Sequence, residues 1–158
     1  MEALARKVGD ALKANKQVLV TAESCTGGWA SQAVTAIEGS SAWFERGFVT
    51  YSNAAKHELL GVEKATLAKY GAVSEETARE MAEGALRHSK GTVSLSITGV
   101  AGPSGGSAEK PVGTVCFGWA RKGYPARVET RRFPGDRESV RRQSVVHALE
   151  GVLALLKD

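Results

Sequence analysis

The chain has 158 residues, 42% hydrophobic and 24% charged, with a net charge of +4 and a pI near 9.2. That length holds one full core, so a single domain over residues 1–158 is expected. No apolar run approaches the roughly 20 residues of a bilayer span, and Met1-Glu-Ala-Leu-Ala-Arg-Lys7 reads as helix rather than signal peptide. Membrane-spanning and secreted classes are thereby set aside, and the cytoplasm is the expected compartment. Cys25 and Cys116 lie far apart in sequence and read as a reduced pair. The mild positive charge suits anionic small molecules as readily as nucleic acid.

Ala3 to Lys16 carries Leu4, Val8 and Leu12 at four-residue steps and predicts an amphipathic helix. Gln17 to Ala22 is a β-branched run and reads as a first, buried strand. A helix from Thr26 to Ile37 is predicted next, with Trp29, Ala33, Val34 and Ile37 on one side and Gly39-Ser40-Ser41 closing it. Phe44 to Ser52 has strand composition. Asn53 is placed as the N-cap of a short helix, Ala54 to Leu60, ended by Gly61, and a second short helix spans Glu63 to Tyr70. Ser74-Glu-Glu-Thr77 opens a helix to about Arg87, with two glutamates in the first turn where the dipole favours them.

From Thr92 to Thr98 the chain alternates: Val93, Leu95 and Ile97 on one face, Ser94, Ser96 and Thr98 on the other. The small polar face predicts either a closely packed covering helix or a pocket floor. Gly99 to Lys110 is a long glycine-rich loop, a type that is usually functional or mobile. Pro111 to Arg121 and Ala126 to Phe133 read as a hairpin, and Pro134-Gly-Asp136 starts a last helix with Val140, Val145, Leu149, Val152, Leu153 and Leu156 as its buried stripe. The order α-β-α-β-α-α-β-β-β-α predicts an α/β fold: one three-layer α/β/α domain with a mixed, mostly parallel sheet. Ligands of such sheets bind beyond the C-terminal strand ends, where Ser24, Tyr51–Lys56 and Thr98–Gly102 would gather.

The junction Val18-Leu-Val-Thr-Ala-Glu-Ser-Cys-Thr-Gly-Gly28 concentrates chemistry. Backbone N–H groups around Cys25, Thr26, Gly27 and Gly28 could hold an anion or oxyanion, and Ser24 could be a nucleophile. The bland alternative is that Ser24 or Thr26 merely caps the helix. Cys25 is a rival nucleophile or a small core residue. None of His57, His88 and His147 suits a serine's base. Lys56 does, if burial strips its proton near neutral pH; otherwise it is a solvated lysine. Thr98-Gly-Val-Ala-Gly-Pro103 offers a hydroxyl at a strand end or only a surface turn. Arg137 could grip a phosphate beside Asp136, the expected cap. No cluster has metal-ligand spacing, and no cofactor motif is present.

Four segments together resemble one family. They are Thr21-Ala-Glu-Ser-Cys-Thr-Gly-Gly28; Gly47-Phe-Val-Thr-Tyr-Ser-Asn53 with Lys56; Gly71-Ala-Val-Ser74; and Ser96-Ile-Thr-Gly-Val-Ala-Gly-Pro103 leading to Lys110-Pro-Val-Gly-Thr114. Their order and spacing resemble the stand-alone form of the CinA C-terminal domain, the nicotinamide-nucleotide amidase family. The resemblance implies hydrolysis of nicotinamide mononucleotide to nicotinic acid mononucleotide and ammonia, in pyridine nucleotide salvage, without metal or cofactor. It implies Ser24 as nucleophile, Lys56 as base, and Thr98 and Tyr51 as groups that orient the lysine or relay a proton. The expected substrate contacts are Glu23 or an aromatic ring toward the pyridinium, Cys25, Thr26, Gly27, Gly28 and Gly99 around the turn, and Arg137 or Lys110 at the phosphate. The competing expectation is a competence- or DNA-damage-associated protein that binds nucleic acid or a recombination protein; the modest charge and the lack of a DNA-binding motif speak against it. An amidase for another carboxamide is a third. Trp43 and Phe44 are candidates for a homodimer interface.

Overall fold

The buried runs and the helical stripes assemble as three layers in a computed structural model, which describes residues 1–157. The elements are α1 (Glu2–Ala14), β1 (Leu19–Glu23), α2 (Trp29–Thr35), β2 (Phe44–Val49), α3 (Asn53–Leu60), α4 (Lys64–Tyr70), α5 (Glu75–Arg87), β3 (Val93–Gly99), β4 (Thr114–Arg121), β5 (Arg127–Arg132) and α6 (Arg137–Lys157). Three helices separate β2 from β3, as the segment-by-segment reading expects, although the order written from it counts two. The sheet order is β2-β1-β3-β4-β5. β1 pairs in parallel with β2 and β3, and the β3–β4 and β4–β5 pairings are antiparallel. The sheet is thus mixed, with β4 alone running against the rest; the interstrand pairings divide evenly between the two kinds.

Each face of the sheet is covered for a reason visible in the alternation. Leu19, Val93, Leu95, Ile97, Phe117 and Trp119 face one way and pack under α1, α2 and α6. Val20 and Ala22 face the other way, against Leu60, Val62, Met81 and Ala85 from the α3–α5 side. The small polar face of β3 fits a close covering helix: Ser94 Oγ donates to Ala82 O at 2.7 Å and Ser96 Oγ to Ala78 O at 2.6 Å, both on α5. Gly118 on β4 completes that approach, since a Cβ there would sit 2.5 Å from Ala78 O. Trp43 is buried against Gly9 of α1, so it belongs to the core and is not available to a dimer interface.

Several boundaries differ from the predicted ones. α2 begins at Trp29 and not Thr26, because Gly27 (φ 59°) and Gly28 (φ 108°) take left-handed conformations that a right-handed helix cannot include. α3 is capped by Ser52, whose Oγ accepts from Ala55 N at 3.0 Å, so Asn53 is the first helical residue and not the cap. The Ser74 and Asp136 caps stand as predicted: Thr77 N donates to Ser74 Oγ (3.1 Å) and Ser139 N to Asp136 Oδ1 (2.9 Å).

Candidate active site

β1 is flanked on both sides by parallel strands, so its C-terminal end opens into the crevice where such sheets bind ligands. Beyond Glu23 the ladder continues for one bond on each side: Ser24 N donates to Ile97 O (2.9 Å) and Thr50 N to Glu23 O (2.8 Å). Side chains alternate along a strand. Glu23 turns toward α2, and Ser24 turns toward α3.

There Ser24 meets Lys56. Lys56 Nζ lies 2.9 Å from Ser24 Oγ and donates to the carbonyl oxygen of Thr50, also at 2.9 Å. The lysine is only 1% exposed and the serine 8%. Burial pushes the Lys56 ammonium below the usual lysine range; a Cys25 thiolate would oppose this. That thiolate does not form at neutral pH. Burial raises the Cys25 thiol to about 12, and its side chain packs into the core on the α6 side. The pair facing one another is therefore a hydroxyl and an amine whose charged form burial disfavours, the composition of a general base beside a nucleophile.

Glu23 is 0% exposed, and both its oxygens are committed. Oε1 accepts from Thr26 Oγ1 (2.7 Å) and Ala30 N (2.8 Å); Oε2 accepts from Ser31 N (3.0 Å) and Ser31 Oγ (3.1 Å). The carboxylate does the work of an N-cap for α2 and complements its dipole. Two expectations change. Glu23 does not face a substrate ring, and the capping group is Glu23 and not Thr26. The head of α2 is also closed as an oxyanion site, because its amides at Ala30 and Ser31 already serve the carboxylate.

Thr98 ends β3 beside Ser24 on the same face, but its Oγ1 donates to Ala72 O at 2.8 Å and so holds the loop before α5. Tyr51 is 63% exposed and its hydroxyl accepts from Arg137 Nη2 at 3.2 Å. Neither hydroxyl is hydrogen-bonded to Lys56, so the predicted orienting contacts are replaced by the single bond from Lys56 to Thr50 O. Arg137 also donates to Gly102 O at 2.9 Å, which ties the long loop to the start of α6. Gly99 permits close strand packing, because a Cβ there would lie 2.8 Å from Thr114 O. Lys110 donates to Tyr70 O at 2.6 Å and lines a separate cavity with Glu75, Glu76 and Glu109. Beside the serine turn lies an open cleft of about 700 Å³ lined by Thr26, Gly27, Gly28, Trp29, Arg137 and Arg141.

A match to the CinA C-terminal domain spans residues 1–156. The chain belongs to the CinA C-terminal domain family. Its curated relatives include the nicotinamide-nucleotide amidohydrolase PncC of Enterobacter agglomerans, 56% identical over 150 residues, which covers 95% of this chain and 92% of the relative. The Escherichia coli K12 protein of the same name is 54% identical over 147 residues, covering 93% and 89%. Among solved structures, the competence/damage inducible protein CihA of Agrobacterium tumefaciens superposes with a TM-score of 0.96 at 44% identity, over 99% of this chain and 95% of that one.

Within this family member, two contributors to the site lie outside the predicted set. Thr50 supplies a backbone carbonyl, which sequence does not advertise. Arg141 reaches from α6: its Nε donates to Cys25 O at 3.0 Å and its Nη2 to Thr26 O at 3.1 Å, with the guanidinium over the Trp29 ring at 5.5 Å. The sequence holds five arginines between 131 and 142 (Arg131, Arg132, Arg137, Arg141 and Arg142), and the structure divides them. Arg131 pairs with Glu129 and Arg142 with Glu138, while Arg137 and Arg141 turn to the cleft. Among the described residues no group of three or more His, Cys, Asp or Glu side chains is gathered as for a metal, and no helix is long and apolar enough to cross a membrane.

Proposed function

We propose that this protein hydrolyses the carboxamide of nicotinamide mononucleotide, giving nicotinic acid mononucleotide and ammonia, with Ser24 as nucleophile and Lys56 as general base. The observation that carries the reading is the 2.9 Å contact between Ser24 Oγ and a buried amine whose charged form burial disfavours. The substrate is supported by relatives named nicotinamide-nucleotide amidohydrolase at 49–56% identity.

Neutral Lys56 takes the Ser24 proton as Oγ attacks the amide carbon. The tetrahedral oxyanion is held by the N–H groups of Cys25 and Thr26, since those of Ser24 and Gly27 already donate within the protein. The C–N bond then breaks, and Lys56 returns the proton to the departing nitrogen as ammonia. Water, deprotonated by the same amine, cleaves the resulting ester and restores Ser24. Thr50 O fixes the lysine's position throughout. With Glu23 withdrawn, the pyridinium faces an aromatic ring of the rim, Tyr51 or Trp29, and Arg137 at the cleft grips the phosphate.

Ammonia release from nicotinamide mononucleotide, free nicotinamide and simple amides tests the reading. Turnover confined to the nucleotide, and lost in both Ser24→Ala and Lys56→Ala with the fold retained, is expected. Undiminished turnover in Ser24→Ala, or preference for a simple amide, refutes it. The 2.9 Å Ser24–Lys56 contact favours hydrolysis over nucleic-acid binding, and the divided arginine run leaves no continuous basic stripe for a phosphate backbone.

A further inference from the structure

Arg141 lies outside the serine–lysine pair, yet it is the side chain that touches the backbone of the nucleophile turn. Its two bonds go to consecutive carbonyls, Cys25 O and Thr26 O. Both peptides are trans, since the only cis bond among the described residues is Gly102–Pro103. In a trans peptide the N–H points opposite to the C=O. At the second of the two peptides this is visible directly. Thr26 O faces Arg141, and the N–H on the other side of that peptide, Gly27 N, points back to Ser24 O at 3.0 Å. The first peptide is held the same way, so the Thr26 N–H points away from Arg141, toward the Ser24 side of the turn.

We infer that Arg141 is a positioning residue. By gripping the Cys25 and Thr26 carbonyls it aims the Thr26 N–H, as an oxyanion donor, at the oxygen of the carbonyl attacked by Ser24. This rests on the hydrolase reading above. A flexible Gly27–Gly28 turn would otherwise sample other peptide orientations, each of which turns the donor away. The guanidinium suits the task because its planar fork meets two carbonyls at once and stacks on Trp29. Glu23 holds the same turn from the other end, through the Thr26 hydroxyl.

The test compares wild type with Arg141→Met, which keeps the aliphatic stem, and Arg141→Lys, whose ammonium reaches one carbonyl at a time. Two rates are read: ammonia release from nicotinamide mononucleotide, and acylation of Ser24 by an activated p-nitrophenyl ester. Arg141→Met is expected to lower kcat by about 100-fold, the loss typical of one oxyanion donor. KM should stay within about threefold, because substrate binding is not what is removed. Ester acylation should fall in parallel, and added guanidinium ion below denaturing levels should restore both rates at least in part. Arg141→Lys should lie between.

A raised KM with kcat intact overturns the inference, and would make Arg141 a grip on substrate phosphate. Wild-type rates in Arg141→Met, or undiminished ester acylation, overturn it too. Should Arg141→Met not unfold cooperatively, Arg141→Lys carries the test, and a wild-type kcat in that folded variant refutes positioning. A wild type that is acylated by the ester but leaves the nucleotide intact refutes the proposed substrate while the Arg141 comparison still stands.

Discussion

Replacing Lys56 by Met separates the catalytic from the structural consequence of burying an amine. Methionine has similar length and fills the same buried space without the charge. As general base the lysine is worth about 10²–10⁴-fold, so kcat for ammonia release should fall by that factor. The stability effect has a definite sign. Burial lowers the folded-state pKa of Lys56 below the unfolded value of 10.5. Below the folded pKa both states hold the proton, and the burial penalty is fully present. Between the two values the unfolded chain holds more protons, so stability rises with pH; above 10.5 the dependence ends. One proton limits the slope to about 1.4 kcal/mol per pH unit. Urea unfolding of both proteins from about pH 7 to about pH 10, within the range set by ordinary lysine ionisation, should therefore show wild type gaining on Lys56→Met as pH rises. The kcat/KM of wild type should climb through the same window as the neutral amine accumulates. Stability curves of the two proteins that run parallel across the range would refute the lowered pKa, and with it the neutral base.

Cys25→Ser should keep ammonia release within a few-fold of wild type, and iodoacetamide should modify Cys25 slowly, because a thiol held at about 12 offers almost no thiolate; an inactive Cys25→Ser beside an active Ser24→Ala would move the nucleophile to sulfur. Glu23→Gln exchanges one acceptor oxygen for a donor facing N–H or O–H groups that already donate. That should cost about 2–3 kcal/mol, or a Tm lower by about 4–10 °C, and an unchanged Tm by calorimetry would show that the carboxylate is not the cap of α2. Gly118→Ala drives a Cβ to 2.5 Å from Ala78 O and 2.6 Å from Ser96 Oγ. It should lower stability by about 1–3 kcal/mol in urea titration, and a neutral result would mean that α5 moves off the sheet freely. EDTA should leave ammonia release unchanged; inhibition reversed by added zinc would refute the metal-free mechanism.

The layers were legible because they follow from periodicity. The β3 alternation announced a close helix on its Ser94–Ser96 face, and α5 is there, at a separation that Gly118 permits. The Ser74 and Asp136 caps were legible because a cap acts over three residues. The start of α2 was misplaced because the positive φ of Gly27 and Gly28 is a property of the folded turn and not of composition. Ser24 and Lys56 stood out as chemistry, but their meeting depends on a 32-residue separation closed by the β1–β2 pairing. Glu23, Tyr51 and Thr98 were read as site groups from the resemblance of their motifs to the family. Their partners, Ser31, Arg137 and Ala72, come from elements that no local pattern connects to them. Arg141 escaped for the same reason, at 116 residues from Cys25.

Strand parity sends the two adjacent candidate nucleophiles to different faces. β1 lies between parallel β2 and β3, and consecutive side chains at its end must leave on opposite faces. Glu23 goes to the side covered by α2, where unsatisfied amides need a carboxylate. Ser24 goes to the side covered by α3, the helix that follows β2 and carries Lys56. Cys25 returns to the α6 side and is buried in its core. A thiol in place of Ser24 would meet the amine, and the same thiol one residue later cannot. The polarity of the turn follows from the same parity. Its carbonyls at Cys25 and Thr26 face a cation on α6, and the Gly27 amide on the opposite side donates to the Ser24 carbonyl. A buried base is tolerable here because the lysine needs only one fixed acceptor, Thr50 O, and one hydroxyl that can exchange donor for acceptor when the proton moves. An ammonium permanently charged at that position would call for a carboxylate; Glu23, adjacent to Ser24 in sequence, is turned to the other face and already accepts four hydrogen bonds. Burial at that position therefore works against the charged form of the lysine, the direction that the proposed chemistry requires.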